Sequence, residues 1–239
     1  MPNPGGACSG YIVEHDQDRL LLECGHGVVS VLRAIRPVTD ITSILISHMH
    51  PDHFFDLVPL TYAYIFGKLN PVPLFLPPGG IATLESLQAA IGLSSRFFAD
   101  RFHIQEFDPE QPLQLESLEL KFAPTVHYVP AWAIRMSEKD NGSILAFTSD
   151  TAWSDDVLNL LNGASLAIAE AALEEYDPED GSHGHLTGTL AGAMAARAGV
   201  DRLLLTHYEC ERTDELRLQA ERAFGGSVTM AAERQSYQV

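Results

Sequence analysis

The stretch Ile46–Leu60, ISHMHPDHFFDLVPL, follows an apolar run and places His48, His50, Asp52 and His53 within six positions. In extended chain, side chains two apart point to the same face, so His48 and His50 can grip one ion together. Pro51 and Asp52 suit the first turn of a helix, which aims Asp52 and His53 toward a neighbouring position. One short segment can thus serve two metals, and this density of ligand types at such spacing points to metal binding. The helix is expected over His53 to Phe66, bent at Pro59.

Working outward, YIVEH and RLLLE flank the polar DQD as a hairpin, a helix runs from Val28 to Ile35 and stops at Pro37, and SILIS is a buried strand. VPLFL reads as a strand and GGIATLESLQAAIG as a helix, while 97–112 has no clear pattern. LELKFA, AWAIRMS and SILAFTS follow as three strands, the last two joined at Asp140-Asn141-Gly142. After Asp150 helices (DDVLNLL, LTGTLAGAMAARAG, DELRLQAERAF) alternate with strands (SLAIAE, DRLLLTH, SVTMA). Strands in both halves with helices interspersed argue for an α+β protein of stacked sheets covered by helices, read as a single domain over 1–239.

A metal site assembled from several strands needs its ligands at strand ends. His127 follows LKFAPTV, Asp150 ends ILAFTSD and His207 ends RLLLTH, each placing a ligand type where an apolar run stops. Asp150 alone could instead cap the following helix. Glu170 ends the AIAE strand, and His185 precedes the helix that leads to His207. His183 is read as a loop residue, and His15, His26 and His103, which fit no ligand spacing, as surface residues or as neighbours that support the ligands. Cys8, Cys24 and Cys210 form no C-x-x-C pair or disulfide framework. Cys210 is close enough in sequence to His207 to reach the site, but is read first as a small buried residue.

The 239 residues carry a formal charge of -17, which opposes any partner that must be gripped through its phosphates by Lys and Arg, so large nucleic acid is disfavoured. No apolar run is long enough for a membrane span, and MPNPGGACSG lacks the pattern of a signal peptide, so a cytoplasmic enzyme is expected.

The ordered set H-x-H-x-D-H, His, Asp, His resembles the metallo-β-lactamase fold in its two-metal hydrolase form, across nearly the whole chain. The resemblance implies an αββα four-layer sandwich. His48, His50 and His127 would hold one metal, Asp52, His53 and His207 the other, and Asp150 would bridge them. Two Zn2+ per chain are expected, with Mn2+ or Fe2+ as alternatives. Glu170 and His185 are similar to the glutamate and catalytic histidine of the ribonuclease Z branch. That implies phosphodiester hydrolysis, in which a metal-bridging hydroxide attacks phosphorus, Asp52 orients it, and His185 held by Glu170 assists the leaving oxygen. The long basic, glycine-rich arm with which such ribonucleases clamp transfer RNA is missing, because only strands and a tight turn separate His127 from Asp150. Armless relatives include cyclic nucleotide phosphodiesterases, which CSGYIVEHDQDRLLLECG resembles, so a small phosphodiester substrate is expected. Two departures accompany the likeness. The chain opens at PNPGGACSG as if the usual first strand were absent, which leaves open a start further upstream or the loss of an edge strand, and Glu23 stands where the family D-x-G turn has aspartate. Lactone or thioester hydrolysis, residual RNA 3′ processing and a non-catalytic metal-binding scaffold are the competing readings. A homodimer is expected, with the segment from Thr61 to Pro112 forming either a cleft wall or its contact.

Overall fold

A computed structural model describes residues 3–140, 142–174 and 184–239. The chain divides into two compact units, Met1–Asp108 and Pro109–Val239.

The first unit is built on a five-stranded sheet in sequential order: β1 (Tyr11–His15), β2 (Asp18–Leu22), β3 (Ser43–Leu45), β4 (Val72–Leu76) and β5 (Phe102–Glu106). β1 and β2 form the expected hairpin, with His15 opposite Asp18, and the other pairings are parallel. Parallel strands are normally covered on both faces, and the burial pattern agrees. Leu21, Ile44, Leu74 and Leu76 join a cluster with helix residues, while Leu20, Leu22, Leu45 and Phe75, which alternate with them, are buried as well. Helices α1 (Val28–Ile35), α2 (Pro51–Phe54), α3 (Leu57–Gly67) and α4 (Gly80–Ala90) contribute Val29, Leu32, Phe54, Leu57 and Leu84 to that cluster. The segment without a clear pattern contains β5, and its Phe97 and Phe98 are core residues.

The helix expected from His53 to Phe66 is in fact two, and the break lies at Phe55 and Asp56, not at Pro59. Tertiary hydrogen bonds decide this. The Asp56 carboxylate accepts the Val29 N–H at 2.8 Å, and the Asp56 N–H donates to the Cys24 carbonyl at 3.0 Å. Pro59 then falls in the first turn of α3, where its missing N–H costs nothing. Asp56→Ala should lower stability by about 1–3 kcal/mol, because a buried N–H loses its charged acceptor. Denaturant melts should show a reduced midpoint, and Asp56→Asn, which keeps an acceptor, should recover part of it.

The second unit carries a seven-stranded sheet in the order β12-β11-β10-β9-β8-β7-β6. Its strands are β6 (Leu113–Gln114), β7 (Leu118–Pro124), β8 (Trp132–Glu138), β9 (Ile144–Phe147), β10 (Leu166–Glu170), β11 (Leu203–Thr206) and β12 (Val228–Met230). β6 to β9 pair antiparallel and β9 to β12 parallel. The two-residue β6 is an addition to the sequence reading. β8 and β9 pair as a hairpin, though Asn141 at its turn lies outside the described residues. Helices α5 (Asp155–Leu161), α6 (Gly188–Arg197) and α7 (Thr213–Phe224) bury Val157, Leu161, Ala191, Met194, Leu216 and Ala220 against strand residues such as Ala146, Ala167 and Leu205. α5 is capped by Ser154, whose hydroxyl accepts the Val157 N–H, so Asp150 is not the cap. No helix among the described residues is long and apolar enough to cross a membrane.

Candidate functional site

In the first unit, β3 ends at Leu45 and the chain runs on through Ser47 and His48 into α2, which His50 precedes in extended conformation with Pro51 as its first residue. His48 and His53 are fully buried, with ring centroids 4.0 Å apart, and the His50 ring lies 5.0 Å from that of His48. Asp52 is half-buried. The Ser47 hydroxyl sits 3.0 Å from His48 Nδ1 and helps fix that ring.

The Glu23-Cys24-Gly25 turn is bound tightly to this segment. The Cys24 N–H donates to the His53 carbonyl at 2.7 Å, and a Cβ on Gly25 would stand 1.8 Å from the Asp52 carbonyl oxygen, so glycine is obligatory there. Glu23 is fully buried with a left-handed φ of 63°. Its carboxylate accepts the Ser47 N–H and approaches His53 Nδ1 to 3.6 Å. The longer glutamate therefore supplies a contact to the histidine segment. The donor atoms of Glu23, His48 and His53 lie within 4.8 Å of one another.

In the second unit, His127 follows β7, Asp150 follows β9, Glu170 ends β10 and His207 follows β11, so four of the strand-end expectations fall at strand ends. The Asp150 carboxylate is buried, and its Oδ2 is approached by three imidazole nitrogens: His127 Nε2 and His185 Nδ1 at 3.9 Å, and His207 Nε2 at 3.8 Å. These separations are too long for hydrogen bonds, and those of His127 and His207 suit ligand atoms held about 2 Å from a shared cation, whereas His185 Nδ1 is engaged by Glu170. The His127 ring is oriented by the Gly184 carbonyl, 2.8 Å from Nδ1, an arrangement that makes Nδ1 the donor and leaves Nε2 as a metal-type lone pair.

Glu170 Oε1 lies 2.9 Å from His185 Nδ1 and accepts the Thr151 N–H at 2.8 Å, while Oε2 accepts the Ala172 N–H at 3.1 Å. Burial pushes the Glu170 carboxyl above its ordinary range, against the opposing pull of the His185 hydrogen bond. The His185 and His207 rings stack at 5.6 Å. His127, Asp150 and His185 form one group of close donor atoms and Glu170, His185 and His207 another. The donor chemistry of both units, imidazoles with a buried carboxylate, fits divalent ions of the zinc type.

Among the non-glycine residues with left-handed backbone are Glu23 (φ 63°), Ser149 (φ 53°) and His207 (φ 52°). Each stands at the end of a strand, beside or within the groups just described. Sequence reading also missed Thr148, Thr151 and Gly184, which position Glu170 and His127 through hydrogen bonds between residues far apart in the chain. Cys210 is exposed, contrary to expectation, because it opens a short 3-10 turn at the surface. His26 and His103 are exposed as expected, and His183 lies outside the described residues.

A family model described as a beta-lactamase superfamily domain matches residues 18–208. The chain belongs to this superfamily. It is accordingly a metal-dependent hydrolase with candidate metal-binding clusters, and its two helix-flanked sheets match the metallo-β-lactamase four-layer sandwich. Within the superfamily it is similar to YhfI of Bacillus subtilis, described as a probable metallo-hydrolase, at 30% identity over 97% of this chain and 92% of that protein. The YhfI crystal structure aligns with a TM-score of 0.86 at 28% identity, covering 98% of this chain and 92% of the other. A ribonuclease Z of Mycobacterium avium is 26% identical over 100% of this chain and 94% of its own length. The short form of human tRNase Z shares the fold, with a TM-score of 0.74 at 20% identity over 96% and 92% of the two chains.

Proposed function

We propose that the protein is a two-zinc phosphodiesterase acting on a small, cyclic nucleotide-like diester. His48, His50 and His127 would hold one ion, Asp52, His53 and His207 the other, and Asp150 would serve both, in one hydrolase domain. Bound divalent ions supply a water of lowered pKa as nucleophile and offset the charge of the phosphate. The chain's own residues do the rest. Asp52 orients the attacking water. His185, protonated, gives its Nε2 proton to the departing sugar oxygen, and Glu170 keeps Nδ1 protonated and the ring fixed.

The observation that carries this reading is the 2.9 Å contact between Glu170 and His185 next to Asp150. A buried carboxylate paired to an imidazole favours the imidazolium form that an alkoxide leaving group needs. A thioester, whose thiolate departs unaided, has less use for such an acid, whereas a lactone also expels an alkoxide and is separated from a diester by turnover. The test is a panel of cyclic nucleotides, an activated phosphodiester, a lactone and precursor transfer RNA, given to protein of measured metal content. Diester turnover is expected, and turnover of the lactone alone would overturn the reading.

A second reading, RNA 3′ processing, is favoured by the full-length likeness to ribonuclease Z. The charge of -17 opposes it, so affinity for transfer RNA should be weak and should fall further with added salt. Tight binding with efficient cleavage at the 3′ end would favour the second reading over the first.

A further inference from the structure

Tyr128 follows His127 in the loop between β7 and β8, and it is 59% exposed. A lone exposed tyrosine is ordinary on a protein surface. This one is held in place by its surroundings. The loop is pinned on both sides of it: the Val126 N–H donates to the Thr151 hydroxyl at 3.1 Å, the Ala152 N–H to the Val126 carbonyl at 2.8 Å, and the Thr125 N–H to the Ala131 carbonyl at 3.0 Å. The Tyr128 ring lies 5.1 Å from the His127 ring and 5.9 Å from the His185 ring, centroid to centroid. Gly184 packs against it so closely that a Cβ there would stand 2.7 Å from Tyr128 Cε2. A rigid aromatic surface open to solvent therefore adjoins the two histidines of the second unit that matter most to the proposed chemistry.

We propose that Tyr128 is a specificity-determining residue, a platform on which the planar ring of the substrate stacks while its phosphodiester lies at His185. The substrate class is then a diester whose phosphate and aromatic ring are separated by a single sugar, as in a mononucleotide. Stacking needs no hydrogen-bond code, so the platform accepts purines more tightly than pyrimidines without selecting one base. This inference rests on the phosphodiesterase reading for the reaction, though the stacking itself can be measured without turnover.

The test compares wild type with Tyr128→Ala, Tyr128→Phe and Tyr128→Trp, each with its metal content measured. Calorimetric binding of AMP and of ribose 5-phosphate isolates the ring, since the two share sugar and phosphate. Tyr128→Ala should weaken AMP binding about 5- to 150-fold, the range expected for one lost base stack, and leave ribose 5-phosphate binding unchanged. The Phe and Trp variants should keep AMP affinity within a few-fold. With cyclic AMP as substrate the alanine variant should raise KM with little change in kcat. Equal losses for AMP and ribose 5-phosphate, no loss for either, or a wild type that binds AMP no better than ribose 5-phosphate would overturn the proposal. A wild type that binds AMP through Tyr128 but cleaves no diester would instead refute the phosphodiesterase reading and leave the platform standing.

Discussion

Asp150→Ala is expected to reduce turnover by about 10³-fold or more and to lower the bound metal measured per chain. Asp150 Oδ2 faces nitrogens of His127, His185 and His207 at 3.8–3.9 Å, and the carboxylate is almost entirely buried. Alanine there removes the anion around which three imidazoles converge. The remaining neutral imidazoles can still offer lone pairs, but the anionic oxygen that would bind and neutralise the dications is lost, so metal affinity falls. Several kcal/mol of transition-state stabilisation depend on the metals, which sets the size of the loss. Asp150→Asn separates charge from shape, since it preserves size and one acceptor oxygen. It should bind less metal than wild type and more than the alanine variant. Full metal content with full turnover in Asp150→Ala would remove Asp150 from the proposed ligand set.

His185→Ala should lower kcat about 10²- to 10⁴-fold while metal content stays at the wild-type level, the range expected for loss of a general acid. His185 is close enough to Asp150 and His207 to be taken for a ligand, and the metal measurement decides between those roles. The leaving group gives a second discriminator. A nitrophenolate departs without help from a proton, whereas a sugar alkoxide does not, so the loss should be much smaller with an activated aryl diester than with a cyclic nucleotide. Equal losses on both substrates would mean that His185 shapes the site and is not its acid. Glu170→Gln should reproduce a weaker version of the same pattern, because the ring keeps a hydrogen-bonding partner at Nδ1 and loses the adjacent negative charge.

Much of the site was legible because a polar ligand type at the end of an apolar run is a local signal. His127, Asp150, Glu170 and His207 were read that way, and each falls at or just after a strand. Strands and helices were legible for the same reason, since β9, β10 and β11 are short apolar runs and α1 ends just before Pro37. What escaped was settled by contacts distant in sequence. The helix break at Asp56 depends on the N–H of Val29 and the carbonyl of Cys24, neither of which a pattern around Pro59 reveals. The reach of Glu23 to the histidine segment depends on a turn more than twenty residues upstream folding back upon it. Tyr128 is marked only by its neighbours, because nothing in the string HYVPA distinguishes a platform from a loop tyrosine.

The left-handed residues at 23, 149 and 207 place the strand ends in conflict with the thermal tolerance of the chain. Each non-glycine residue in that conformation costs about 1–2 kcal/mol relative to an unstrained one. Selection for heat resistance alone would favour glycine at all three positions. At Ser149 such a change removes a hydroxymethyl group. At Glu23 and His207 it would erase a carboxylate and an imidazole on which the proposed chemistry depends, so a laboratory lineage evolved for robustness without a demand for turnover should drift toward a sturdier and less active protein.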